Sequence, residues 1–335
     1  MSIAARIEGT GHFVPEKVMT NFDIEKIIDT NNEFIVTRTG VLERRHAEAD
    51  VSATDLGVRA AKAAVEDAGL TMDQIDCVIM NTITPDHHDP GCAFFLQAKL
   101  NIGKFVPAFD IKQQCCGLLY GASMAEHFVK AGTYKHVLVV CAEVLSKRID
   151  GSYDGRNISI LFGDGAGAVV IGASEDPDVG IKSISLHADG SMAKVLWTEA
   201  PGTARGKMNF IDKEDIDAGK VNFRMHGKTV FENGVARMCG AVEESFTKNN
   251  ITLNDIDLLI PHQPNLRMIE AIIEKLSVPE EKIFVNVEKF GNMASACVPI
   301  AFDQARKQGR AKAGDLVQLV AFGSGFVWAS MLLRL

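Results

Sequence analysis

A chain of 335 residues, 47% hydrophobic and 23% charged, has an ordinary globular composition and is long enough for one large core or two fused domains. Its formal net charge of -8 and isoelectric point near 5.6 exclude nonspecific nucleic-acid binding, which needs a basic surface. No uninterrupted apolar run approaches the roughly 20 residues of a membrane span, the first residues lack a signal peptide's apolar core, and seven scattered cysteines without a CxxC pair point to a reducing cytoplasm rather than to disulfides or zinc.

In chain order, Ile3 to Ile7 reads as a first strand, followed by a loop around Pro15 and a short helical pattern from Asn21 to Asn31. Ala53 to Ala68 is an amphipathic helix with Ser52 or Thr54 as its cap and Gly69 as its stop. Ile75 to Asn81 is a strand, Cys92 to Leu100 a helix, Val106 to Phe109 a buried strand, Gly117 to about Lys130 a helix of small residues, and His136 to Cys141 a strand. Gly163-Asp164-Gly165-Ala166-Gly167 is expected to be a tight turn, with backbone packed close to something, running into a strand that ends near Gly172. It is not a dinucleotide fingerprint, because the spacing is wrong and no helix follows. Val179 to His187 is a strand, and Lys194 to Val221 is a polar insertion. Then come helix Gly227–Lys248, strand Leu258–Pro261, helix Leu266–Leu276, strand Ile283–Val287, helix Met293–Gln308 and strands Leu316–Ala321 and Val327–Leu333.

The second half repeats the plan of the first. Leu70-Thr71-Met72-Asp73-Gln74-Ile75-Asp76 lies beside Ile251-Thr252-Leu253-Asn254-Asp255-Ile256-Asp257, each after a long helix and before a strand. With a short gap, Asp110 to Cys116 falls against Asn286 to Asn292, so the expectation is a duplicated α/β unit, residues 1–173 and 174–335, with a cysteine and Asn292 at equivalent helix starts. Alternating strands and helices imply sheets covered on both faces.

Chemistry concentrates where Val106–Phe109 gives way to the Gly117 helix, around Cys115 and Cys116. A thiolate at a helix start is stabilised by unpartnered N–H groups, and its pKa falls. A buried, inert cysteine is the plainer reading, and the repeat does not choose between the two cysteines. A thiol nucleophile needs a hydrogen-bonding partner and an oxyanion binder. His262 follows an apolar strand directly, in the loop class where α/β proteins place their sites. His87 and His88, with Asp86 and Asp89, occupy the matching loop of the first half. Adjacent histidines rarely ligate one ion together, so a pocket-lining role is preferred to a metal. The backbone N–H groups of Gly323-Ser324-Gly325 could face an oxyanion, or the segment could simply be a bend.

Taken together, Cys115 in Asp-x-x-x-x-Cys-x-Gly, His262 in Pro-His-Gln-x-Asn-Leu-Arg and Asn292 in Gly-Asn-x-x-Ser-Ala resemble 3-oxoacyl-acyl-carrier-protein synthase III, of the thiolase-like condensing enzymes. Phe162 to Ala168 and Phe322 to Phe326 are similar to its other signature segments. Asn81 to Pro90, Cys116 to Gly121 and Glu143 to Arg148 look most like its anthraniloyl-priming branch, from alkylquinolone biosynthesis.

The resemblance implies a five-layered α/β/α/β/α sandwich of two duplicated halves, usually a homodimer. It implies Cys115 as the acylated nucleophile, backbone N–H groups at Cys115 and Ser324 as the oxyanion hole, and His262 and Asn292 as donors to a malonyl-derived enolate. The substrates would be an acyl-CoA primer and malonyl-CoA or a malonyl-carrier protein, with no resident cofactor and no metal. Phe34, Arg38, Arg156 and Arg267 match CoA-binding positions, and His87, Asp89 and Arg148 are expected around the primer. Asp89 replaces an apolar gate, which argues for an unusual primer and specialised metabolism. Glu232 and Glu274 replace basic carrier-protein contacts, which favours malonyl-CoA. Chain initiation for fatty acids, or for biotin with a carboxylated primer, is the alternative within the class. Acyl transfer or thioester hydrolysis without decarboxylation is the alternative outside it.

Overall fold

The computed structural model describes residues 4–103 and 105–335; Ile3, where the first predicted strand begins, lies outside them. Two sheets carry the fold. The first runs in the order Ala4–Phe13, Asp164–Ser174, Val137–Val144, Cys77–Asn81, Ala108–Ile111. The second runs Gly180–Ala188, Val327–Arg334, Leu316–Gly323, Leu258–Pro261. Position by position these are the same sheet, antiparallel at one edge and parallel at the other. The expected fifth strand of the second half, Ile283–Val287, is only a single parallel bridge from Leu259 to Ile283. Its end folds instead into an extra helical turn, Val287–Phe290.

Helices Gly117–Lys130 and Cys297–Lys307 lie between the sheets and touch strands of both. Their apolar positions are buried between the sheets: Leu118, Leu119, Ala122, Ala125, Val298, Ala301 and Phe302 are at most 1% exposed. Ala53–Asp67 and Cys92–Leu100 cover the outer face of the first sheet, and Gly227–Asn249 and Leu266–Leu276 that of the second. This is the expected five-layered sandwich. Ser52, not Thr54, caps the first long helix, through a capping box with Asp55.

The glycine run departs from expectation. Gly165 and Gly167 lie inside strand Asp164–Ser174 rather than in a turn. The close packing is real: a β-carbon at residue 167 would fall 2.6 Å from Pro299 Cβ, on the buried central helix.

The halves are also tied by polar contacts. The fully buried Asp303 carboxylate accepts from Thr10 Oγ1 at 2.6 Å and Lys307 Nζ at 2.8 Å, and it pairs with His12. These donors outweigh burial and hold its pKa down at about 2. A depressed carboxylate stabilises the fold above its unfolded pKa, and that contribution is lost as pH falls through the folded value. Asp303→Asn is expected to cost about 3 kcal/mol at neutral pH. It should also remove part of the acid-unfolding slope between pH about 4 and about 2, both measured by urea titration.

Candidate active site

Four chain segments converge on one cavity of about 500 Å³, lined by Cys115, His262, Asn292, Gly323 and Ser324, with walls that include Ile83, Phe162, Phe223, Met225 and Phe322. Cys115 stands in the tight turn Gln114–Cys116 that leads into helix Gly117–Lys130. Gln114 holds that turn in a left-handed conformation, φ 49°, which costs a non-glycine residue of order 1 kcal/mol and persists only under constraint. The constraint comes from Asn81, buried at a strand end. Its Oδ1 accepts Gln113 N–H at 2.8 Å and its Nδ2 donates to Gln114 O at 3.3 Å.

The second half contains the same device. Met293 and Ala294 copy the backbone of Gln113 and Gln114, with Ala294 at φ 43°. Ser295 therefore corresponds to Cys115, and Asn292 lies three residues earlier. The expected equivalence of the cysteine with Asn292 is wrong by the length of the extra turn at Val287–Phe290. The cavity also separates the two cysteines: Cys115 opens to it, whereas Cys116 is wholly buried, its thiol toward Val327 O at 3.6 Å.

The expected low thiol pKa is not found. Burial, then Cys116, Cys297 and Glu143, push the Cys115 thiol well above its usual value of 9.0. The α-helix proper starts only at Gly117, two residues beyond the sulfur.

Gly323 lets the Phe322–Phe326 segment reach the sulfur's backbone. A β-carbon there would fall 2.9 Å from Cys115 N and 3.0 Å from Gln114 Cβ. Ser324 Oγ donates to Gln114 Oε1 at 2.8 Å, which fixes this segment against the turn.

His262 follows strand Leu258–Pro261, its N–H donating to Val320 O at 2.7 Å. Gln263 pins the loop: its amide donates to Pro261 O and Phe284 O, and its oxygen accepts from Asn286 N. Burial lowers the His262 pKa to about 3, so the ring is neutral at physiological pH. Asn292 Oδ1 accepts Ala294 N–H at 2.8 Å. With its oxygen engaged there, the amide has its NH2 group left to give to the cavity.

Phe34, Arg38, Arg156 and Arg267 gather around one helix, Asn32–Thr39. The Arg156 guanidinium lies 4.9 Å from the Phe34 ring centre and 4.0 Å from that of Tyr153, and Arg38 lies 5.6 Å from Phe34. Of the four, only Arg38 lines the cavity. Arg267 donates to Thr37 O at 3.0 Å and to both Glu270 oxygens at 2.9 and 3.2 Å, so its charge is engaged within the chain.

None of the three residues expected around the primer, His87, Asp89 and Arg148, lines this cavity. His87 packs on Phe95, ring centres 5.2 Å apart, and Asp89 is exposed beside His88. Arg148 lies behind the cavity wall, 3.9 Å from the Phe223 ring centre, donating to Thr198 Oγ1 and Val221 O. Asp86 serves structure, accepting Thr54 N–H at 3.0 Å at a helix start. Among the described residues no cluster of His, Cys, Asp and Glu is arranged to hold a metal.

Sequence reasoning missed Asn81 and Glu143 as parts of the site. Glu143 is fully buried and accepts from Thr82 Oγ1, Ile83 N, Thr84 Oγ1 and Ser295 Oγ. Burial, opposed by these donors, raises its pKa to about 7. A glutamate inside the apolar run Val137–Val144 was the available signal.

Family profiles for 3-oxoacyl-[acyl-carrier-protein (ACP)] synthase III match residues 109–190, and those for its C-terminal part match residues 246–335. A beta-ketoacyl-[acyl-carrier-protein] synthase III of Xanthomonas campestris is 44% identical over 336 residues, covering 99% of this chain and 98% of the relative. The crystal structure of the Aquifex aeolicus 3-oxoacyl-[acyl-carrier-protein] synthase III superposes with a TM-score of 0.89 at 40% identity, covering 99% of this chain and 100% of that one. A priming beta-ketosynthase from the R1128 polyketide biosynthetic pathway superposes with a TM-score of 0.88 at 31% identity, covering 99% and 96%.

Proposed function

Because this chain belongs to the 3-oxoacyl-[acyl-carrier-protein] synthase III family, we infer that it is a condensing acyltransferase that starts acyl chains by joining a primer to a malonyl unit. The observation that carries this reading is the convergence of Cys115, His262, Asn292 and Ser324, drawn from both halves, on one cavity. The Cys115 sulfur attacks the thioester carbon of an acyl-CoA. The new carbon–sulfur bond replaces the old one, and CoA leaves with the thiol proton. The N–H groups of Cys115 and Ser324 receive the oxyanion. A malonyl thioester then loses CO2, and the electron pair of the broken C–C bond becomes an enolate. Neutral His262 and the Asn292 NH2 group donate to the enolate oxygen, and its carbon displaces Cys115 to give a 3-oxoacyl thioester. The chemistry is redox-neutral and hydrogen bonds hold the enolate, so the reading requires neither a cofactor nor a metal.

The relatives' names favour primary chain initiation over the specialised role expected from Asp89. That residue is exposed and does not line the cavity, so the acidic-gate argument has no support within the chain. An aromatic primer is the second reading, favoured by the apolar, phenylalanine-rich walls and the likeness to the polyketide-priming enzyme. Phe34, Arg38, Arg156 and Tyr153 are proposed to receive the CoA adenine and phosphates, planar groups against the ring and guanidinium pairs on the anions. The relatives' names also favour a carrier-protein extender. Exposed Glu232 and Glu274 oppose it, since like charges disfavour docking of an acidic partner. A cytoplasmic homodimer completes the reading, from the resemblance and from seven unpaired cysteines.

The test is intact-protein mass spectrometry after exposure to acetyl-CoA, longer alkyl-CoAs and aromatic acyl-CoAs, followed by malonyl-CoA or malonyl-carrier protein. A mass gain on Cys115 and its discharge by a malonyl thioester are expected. No gain from any of them overturns the reading, and the primer that reacts fastest separates its two forms. Gly323→Ala pushes the oxyanion-side backbone away and is expected to slow acylation by a hundredfold to a thousandfold, about the worth of one donor, in the same assay.

A further inference from the structure

We propose that Glu143 and Ser295 form a positioning pair that holds the Asn292 amide in its enolate-binding orientation, and so controls the malonyl half of the reaction without touching substrate. The proposal rests on the condensing-enzyme reading above.

The contacts form a short relay. Glu143 Oε1 accepts from Ser295 Oγ at 2.5 Å, and both residues are fully buried. Ser295 follows Ala294, whose left-handed φ of 43° needs an external hold. Ala294 N–H in turn donates to Asn292 Oδ1 at 2.8 Å, and that bond decides which end of the amide meets the cavity. The other carboxylate oxygen, Glu143 Oε2, accepts from Ile83 N at 3.1 Å and from Thr84 Oγ1 at 2.9 Å, and so fixes the segment from which Ile83 lines the same cavity. One carboxylate thus sets the distance between a primer wall from the first half and the amide from the second. The matching turn of the first half is held differently, by Asn81. The geometry of the thiol turn therefore does not depend on this pair, and Ser295→Ala leaves the Glu143 charge that bears on the sulfur in place.

The test compares Ser295→Ala, Glu143→Gln and the double variant with the parent enzyme. Two rates are read separately: acylation of Cys115 by an acyl-CoA, by intact mass, and CO2 release from the malonyl thioester. Ser295→Ala removes one hydroxyl without changing backbone or volume much, so it reports even if the Glu143 variant folds poorly. Acylation within about threefold of the parent, with CO2 release down ten- to a hundredfold in Ser295→Ala and no further loss in the double variant, is the expected result. CO2 release unchanged in Ser295→Ala overturns the proposal, as does an equal fall of both rates. A parent enzyme that is acylated but releases no CO2, or is not acylated at all, overturns the condensing-enzyme reading and the proposal with it.

Discussion

Cys115→Ala is expected to abolish acyl transfer from acyl-CoA, with a fall in condensation of at least ten-thousandfold, the scale seen when a nucleophile is deleted from an intact site. CO2 release from the malonyl thioester should survive, because the proposed donors to the enolate, His262 and Asn292, stand on other segments. Cys116→Ala is the control. That side chain is packed in the core, and its loss should lower stability by about 1 kcal/mol while turnover stays within a few-fold. The buried surroundings that raise the Cys115 pKa add a pH signature. Only the thiolate is nucleophilic, so alkylation of Cys115 by iodoacetamide should climb about tenfold per pH unit between roughly pH 6 and 9. A plateau near pH 7 would mean that a cation or the helix start stabilises the thiolate after all.

His262→Ala and Asn292→Ala should give the opposite pattern: Cys115 still gains the acyl mass, and CO2 release falls a hundredfold to a thousandfold in each, the usual worth of one aligned donor. Asn292→Asp should be as damaging as Asn292→Ala, since an ionised carboxylate can only accept and would repel the enolate. The neutral ring at position 262 predicts the pH profile. Its pKa of about 3 lies below the ordinary value, so protonation does not begin until the solution is far more acidic than any assay. CO2 release should therefore show no falling limb assignable to this residue between pH 7 and pH 5. A limb near pH 6.5 that vanishes in His262→Ala would reject the neutral-donor assignment.

Much of this arrangement could be read from the chain. Leu266–Leu276 carries its cap and its apolar stripe in its own sequence, and helices Cys92–Leu100 and Gly117–Lys130 span the residues expected of them. Cys115 and His262 were legible because each sits just past a recognisable strand, whereas Asn292 follows the short helix Val287–Phe290 and was legible from its motif. What failed depended on partners far away in sequence. The glycines at 165 and 167 look like turn residues locally, but they are strand residues whose missing side chains admit Pro299 and its helix. Ile283–Val287 has strand composition, yet it makes only one bridge before an extra turn takes over, and that turn hid the true register of Cys115 with Ser295. The expected primer residues stand off the cavity for a related reason. His87, Asp89 and Arg148 adjoin the right segments, but Ile83 and Phe223 stand at the cavity wall, and no local pattern says which neighbour wins the inward position.

The twin left-handed turns at Gln114 and Ala294 carry an evolutionary implication. A protein assembled from two copies of one unit begins with two matching corners. Here one corner presents a sulfur to the cavity, while the other turns its hydroxyl inward to a carboxylate. Two matching corners in such a molecule need not share one role.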